Sequence, residues 1–301
     1  IVKKFTGKLI FVVGPTASGK TNVAIQIAKR LNTEVISADS RQFYEEIPIG
    51  TAAPTSKEQE DVIHHFVGNL SIKDDYNASK FETQVLKLLD SRFYGHQYVV
   101  ISGGSGLYIN AVFKGIDELP DATEKVREKV HGIYESDGIN ALRKLLEELD
   151  PEYYNQVDKN NPMRLMRAIE VCFQTGKKYS ELRKNTNAKR SFTSKKIGLL
   201  VEREILFNNI NSRTDDMIAN GWVGEAKDVH ADKQLNPLNT VGYKELFAYF
   251  EGQYTMEQAI EKIKTNTRRY AKRQMTWFRK DESITWFPPS NISAMIDYIL
   301  E

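Results

Sequence analysis

Three short apolar runs, each ended by glycine or a polar turn, set the pattern of the N-terminal third: KLIFVVG at Lys8–Gly14, TEVISADS at Thr33–Ser40 and QYVVISGG at Gln97–Gly104. Runs of this length without polar alternation read as strands buried on both faces of a parallel sheet. Between them the apolar period changes to that of a helix. The clearest case is Thr21–Leu31, where Val23, Ala24, Ile27, Ala28 and Leu31 share one face. Strands alternating with helices predict βαβ units and a parallel sheet. A fourth strand candidate, KKIGLLVE at Lys195–Glu202, follows only after a long interruption.

That interruption, from about Asp117 to Ser194, is charged, helical in period and poor in strand signals. One helix is expected after Pro120, a second over INALRKLLEELDP and a third over NPMRLMRAIEVCFQTG. The third is punctuated by Asn161 as cap, Pro162 in the first turn and Gly176 at the end. The expected organisation is therefore an α/β core over 1–117 and 195–301, interrupted by a helical insertion over 118–194. From Glu204 onward the pattern is again helical and ends in a mixed aromatic and basic tail. Neither an internal repeat nor a low-complexity tract stands out.

Composition narrows the class. With 301 residues, 41% of them hydrophobic, the chain can bury a sizeable core. Lys plus Arg number 42 against 40 Asp plus Glu, so any attraction to nucleic acid must come from local clustering. The lone Cys172 excludes an internal disulfide and a multi-cysteine zinc site, and it reads as buried and inert. No run approaches the ~18 apolar residues of a membrane span. Two lysines before the first apolar run faintly suggest a leader, but that run passes straight into a glycine-rich turn without a small-residue cleavage site. The expectation is a cytoplasmic protein with no membrane partner.

The turn itself is GPTASGKT: Gly14, Pro15, Thr16, Ala17, Ser18, Gly19, Lys20 and Thr21. Between a strand and a helix this is a phosphate-binding loop. Its amides and the helix dipole face phosphate oxygens, Lys20 adds a point charge, and the Thr21 hydroxyl is placed to hold Mg²⁺. Ordinary P-loop NTPases end a later strand in an aspartate, yet the third strand here ends in ISGG. This weakens a plain ATPase reading without excluding a small-molecule kinase.

Asp39 and Ser40 close the second strand, on the rim that faces the ligand crevice in open α/β sheets. Asp39 there suits either of two roles, proton acceptor for a nucleophile or cap of the next turn. GGSGLY, Gly103–Tyr108, equally suits close approach of a ligand, with Ser105 bonding it, or a tight turn. Lys262–Lys280 holds eight Lys/Arg and no acid, with Tyr270, Trp277 and Phe278 interleaved. Such a stretch favours RNA or polyphosphate contact over a merely solvated face. Arg164 and Arg167 share one helix side, whereas Leu165, Ile169 and Cys172 form another that reads as core. His64 and His65 lack further ligands at metal spacing and read as structural.

Taken in order, GPTASGKT, ADSRQFYEEIPIGTAAPT, GGSGLY, NPMRLMRAIEV, INSRTDDMIANG, TVGYKEL and TRRYAKRQMTWFR closely resemble the bacterial tRNA dimethylallyltransferases over nearly the full chain. The resemblance implies a P-loop NTPase-like core and transfer of a dimethylallyl group from dimethylallyl diphosphate to the exocyclic amine of the adenosine just 3′ of the anticodon. Gly14–Thr21 would then bind the diphosphate, which leaves. Lys20, Thr21 with Mg²⁺, and Arg213 would stabilise its growing charge, and Asp39 would accept a proton from the amine or orient it. Asp39, Ser40, Arg41 and Gln42 would hold the extruded base. Ser105, Met163, Arg164, Leu165, Met166, Arg167, Arg269, Lys272 and Arg273 would contact the anticodon stem-loop of tRNA, the chain acting as a monomer. Three positions depart from the family pattern: Ser105 replaces its usual threonine, Ala53 a frequent lysine, and Asn209 a frequent arginine. The alternatives are a small-molecule or nucleoside kinase and a non-catalytic RNA-binding protein. Neither accounts for all seven segments.

Overall fold

The computed structural model describes residues 3–117, 119–183 and 187–301. Ile1, Val2, Glu118 and Lys184–Thr186 lie outside the described residues, so the first residue expected of the insertion and part of its last segment are among them. The chain divides into two compact units, one of Ile1–Phe113 with Lys189–Glu301 and the other of Lys114–Ala188.

The first unit is built on a six-stranded, all-parallel sheet in the order β3-β2-β4-β1-β5-β6. The strands are β1 Lys8–Val13, β2 Val35–Ser37, β3 His64–His65, β4 Tyr98–Gly103, β5 Thr193–Leu199 and β6 Ile284–Phe287. β1 alternates as a central strand must: Leu9, Phe11 and Val13 enter the cluster on one face, Ile10 and Val12 the cluster on the other. All five are 0% exposed, each worth about 1.5–3 kcal/mol of burial. On the Ile10 face lie Val23, Ala24, Ile27 and Ala28 of the helix Lys20–Leu31, with Ile292, Met295 and Ile299 of the last helix. β5 starts two residues ahead of the sequence expectation, and β3 and β6 lie outside it altogether. β3 is a two-residue polar pair, and β6 follows directly on the basic tail.

Register positions the site. Val13 lies opposite Gly103 and Ser37 opposite Ser102, so β1, β2 and β4 release the chain at one rim of the sheet. Gly103 stands where an acid was sought because a Cβ there would overlap the Ala38 backbone. At that position the close approach of β2 to β4 leaves no room for a side chain.

In the second unit, the two helices expected before Pro151 form a single run, Glu124–Leu149, broken at Gly138 (φ 72°, ψ −169°). Asn161 caps the helix Pro162–Thr175 by accepting from the Arg164 amide at 3.2 Å, and Gly176 ends it at φ 68°. Leu142, Leu146, Leu165 and Ile169 form the core of this unit. Asp150 is wholly buried there, accepting from the Tyr153 and Ser180 amides and the Ser180 hydroxyl.

Candidate active site

The phosphate loop runs from β1 into the helix Lys20–Leu31 without a side-chain cap, Gly19 holding the left-handed turn at φ 85°. The first helical amides are thereby left for a ligand. Lys20 Nζ donates to the Pro15 carbonyl at 2.6 Å, which holds the lysine back over the loop. Thr16, Ala17, Gly19, Lys20 and Thr21 line a cavity of about 670 Å³, while Gly14, Pro15 and Ser18 are buried beneath it. Ser18 Oγ is buried with no hydrogen-bond partner among the described residues.

Asp39, Ser40, Arg41 and Gln42 form the next stretch of wall. Asp39 Oδ1 accepts from the Arg41 amide at 3.1 Å, so the turn-capping role anticipated for it is real. That bond orients the carboxylate without removing it from the cavity. Lys20, although partly open to the cavity, is surrounded by protein. Burial lowers its pKa to about 8, Asp39 pulling it back up and Arg213 adding to the fall. Arg213, from the helix Arg203–Ala219, is likewise lowered by burial and supported by Asp39, and it remains a cation. Asp39, Lys20 and Arg213 are thus electrostatically coupled within this cavity.

A further wall comes from the helix Met256–Phe278, through Ile263, Asn266, Thr267, Tyr270, Arg273 and Gln274 at helical spacing. Burial and the nearby Asp39 push the Tyr270 phenol up to about 12. Arg273 lines the cavity, while Arg269 and Lys272 are exposed on the same helix.

Several expected residues do something other than expected. The glycines of GGSGLY make room for protein: a Cβ at Gly104 would overlap Gln274, and one at Gly106 would overlap Trp277. The Ser105 hydroxyl accepts from the Ser40 amide at 2.9 Å and donates to the Ser40 hydroxyl at 3.1 Å, so it holds the Asp39 loop. Gln42 lines the cavity, but its amide is already engaged, accepting from Ser37 Oγ and donating to the Thr51 and Ala52 carbonyls. Asn209, at the position of a frequent arginine, donates to the Ala17 carbonyl at 3.3 Å and so braces the loop.

Met163–Arg167 belong to the second unit. Leu165 and Met166 are 0% and 6% exposed within its core: the periodicity reading of Leu165 as core holds, and the RNA contact that the resemblance implied for the two is corrected by the inward face of their helix. Met163 is 61% exposed and Arg164 also faces solvent. Arg167 is partly buried and directed at the Leu119 and Pro120 carbonyls.

Sequence reasoning missed Glu225. It accepts from the amides of Ile49 and Gly50 at 2.7 and 2.8 Å and from the Tyr243 hydroxyl at 2.5 Å, fixing the loop after Asp39. It also missed the buried Glu245, which joins the Gly242 amide to Asn266 on the cavity wall, and Gln274, whose amide bonds Thr16 and Gly104. His65 bonds Glu34 and His64 bonds the Val62 carbonyl, both structural. Among the described residues no three His, Cys, Asp or Glu converge as a metal cage, and no helix is long and apolar enough to cross a membrane.

A family model described as IPP transferase matches residues 42–281. This chain belongs to the IPP transferase family. The matched stretch begins after Asp39, but relatives extend the likeness across the loop. A tRNA dimethylallyltransferase 2 of Azobacteroides pseudotrichonymphae genomovar. CFP2 is 49% identical, covering 97% of this chain and 96% of its own. A tRNA dimethylallyltransferase of Christiangramia forsetii is 47% identical, with 97% of both chains covered. Among solved structures, the full-length tRNA isopentenylpyrophosphate transferase of Bacillus halodurans aligns at TM-score 0.69 and 35% identity, covering 97% of this chain and 95% of its own. A eukaryotic dimethylallyltransferase acting on tRNA aligns at TM-score 0.77 and 28% identity, covering 95% of this chain and 75% of its own. Family membership thus accompanies the same α/β architecture, and the P-loop reading of the fold holds.

Proposed function

We propose that this family member transfers a dimethylallyl group from dimethylallyl diphosphate to the exocyclic amine of the adenosine just 3′ of the anticodon in tRNA, releasing diphosphate. The observation that carries the reading is the grouping of Lys20, Arg213 and Asp39 around one cavity whose far wall is the basic helix Met256–Phe278. A small-molecule kinase leaves the basic and aromatic stretch Lys262–Lys280 without a purpose.

In this reading the loop amides, Lys20 and Arg213 bind the diphosphate. The amine nitrogen attacks the prenyl carbon, the carbon–oxygen bond breaks, and its electron pair leaves on the diphosphate. Fixed cations oriented before the reaction stabilise that charge without reorganisation. A neutral adenine amine is a weak nucleophile, so holding it in line contributes heavily. Asp39, its Oδ1 anchored by the Arg41 amide, orients the amine or takes its proton. The hydroxyl oxygen of Thr21, which lines the cavity, fits a hard divalent ion. Mg²⁺ would be held by Thr21 and the diphosphate, and when bound it supplies further charge neutralisation.

Ser40 and Arg41 would meet the extruded base. Arg269, Lys272 and Arg273, and in the other unit Met163 and Arg164, would meet the RNA. The protein would act as a cytoplasmic monomer, checked by light scattering of the purified chain. The test of function is incubation with Mg²⁺, tRNA and prenyl-labelled dimethylallyl diphosphate, in parallel with labelled ATP. Label entering RNA from the prenyl donor supports the reading, and label entering only from ATP overturns it.

A further inference from the structure

Gln274 lies on the basic helix, 6% exposed, facing the sheet. Its Oε1 accepts from the Thr16 amide of the phosphate loop at 2.8 Å, and its Nε2 donates to the Gly104 carbonyl at 3.0 Å. Gly104 is followed by Ser105, whose hydroxyl holds the Ser40 amide beside Asp39. One buried amide therefore stands between the loop that binds the leaving group and the loop that carries the carboxylate. A Cβ at Gly104 would overlap the Gln274 amide, so glycine there lets that amide reach the carbonyl.

We propose that Gln274 is a positioning residue: it fixes the phosphate loop and the Asp39 loop relative to each other, and it takes the Thr16 amide out of the set offered to phosphate. Both loops leave the same rim of the sheet, but neither β1 nor β4 determines how the chain runs beyond Val13 and Gly103. The amide does, through one acceptor and one donor of fixed polarity. An in-line displacement is sensitive to this spacing, since a misplacement of ~1 Å can cost ~100-fold in rate.

The kinetic part rests on the prenyl-transfer reading, while diphosphate binding tests the positioning independently of it. In the full-length protein, Gln274→Met removes both bonds at similar volume, and Gln274→Glu keeps the acceptor but regains the donor only when protonated. We expect Gln274→Met to lower kcat about 10- to 100-fold and to weaken inorganic diphosphate binding, with tRNA affinity close to native and a melting temperature lowered by the Thr16 amide and Gly104 carbonyl left unpaired. Gln274→Glu should fall below native at high pH, where its carboxylate faces the Gly104 carbonyl without a donor, and rise above Gln274→Met as pH falls and the carboxyl becomes an amide mimic. Native-like kcat and diphosphate affinity in Gln274→Met would overturn the proposal. So would a loss of tRNA binding as large as the loss of diphosphate binding, or a Gln274→Glu variant that never exceeds Gln274→Met. Should the native protein transfer no prenyl group, the functional reading fails, and diphosphate affinity across the three proteins still decides the role of Gln274.

Discussion

The Ser105 hydroxyl accepts the Ser40 amide at 2.9 Å, so the exit of β4 holds the residue that follows Asp39. A hydroxyl at this position is what the loop requires, and the family's usual threonine supplies the same group. Ser105→Ala leaves a partly buried amide unpaired, a cost of about 1–3 kcal/mol taken largely by the Asp39 loop. The expected outcome is a kcat several-fold to tenfold lower, with tRNA affinity little changed. Ser105→Thr should retain activity. Steady-state kinetics on the two variants check this.

Asp39→Asn keeps the turn-capping oxygen that the Arg41 amide needs but removes the charge. Prenyl transfer should fall by orders of magnitude while tRNA binding by filter retention stays near native. If binding falls equally, Asp39 serves the RNA rather than the chemistry.

Lys20 provides a pH test. Its pKa, about 8 against 10.5 for the ordinary side chain, is lowered mainly by burial. The charged form is therefore disfavoured in the fold. The unfolded chain binds more protons between pH 8 and 10.5, and Lys20 costs stability below about 8, a cost relieved as pH rises through that window. For the ligand the sign is opposite: above about 8 the empty site loses a charge, and inorganic diphosphate affinity should fall relative to Lys20→Arg, which stays protonated. Calorimetric titrations from neutral to alkaline pH give the difference. A constant ratio between the two proteins would contradict the assignment.

Much of this arrangement can be read from the chain, and the part that cannot has a common cause. β1, β2 and β4 are continuous apolar runs, and GPTASGKT announces its own chemistry because all its groups are local. Asp39 is legible as a strand-end acid. Gln274 and Glu225 are not, since their partners lie 258 residues away at Thr16 and 176 away at Ile49, and nothing in the local pattern marks either. The glycines of GGSGLY are visible, but the reason for them is Ala38, Gln274 and Trp277, brought there only by the fold. Leu165 is legible as core from its spacing with Ile169 and Cys172, and all three are buried; only the RNA contact that the resemblance implies for Leu165 and Met166 fails, because the helix turns both inward.

That last distinction is itself testable. Leu165→Ala should destabilise the second unit by about 2–5 kcal/mol through a buried cavity, visible as a lowered melting temperature. Arg164→Ala should leave melting unchanged and weaken tRNA binding, more strongly at low salt. The reverse pattern would remove Arg164 from the RNA face.

The most direct test follows the bond that breaks. Dimethylallyl diphosphate carrying a heavy isotope in the oxygen that joins the prenyl carbon to phosphorus is mixed with the protein, Mg²⁺ and tRNA, and the products are resolved by mass spectrometry. Carbon–oxygen cleavage predicts the heavy oxygen wholly in released diphosphate and the prenyl group on the exocyclic amine of the adenosine beside the anticodon. Heavy oxygen in a prenyl alcohol or prenyl phosphate, with unmodified tRNA, would contradict the account.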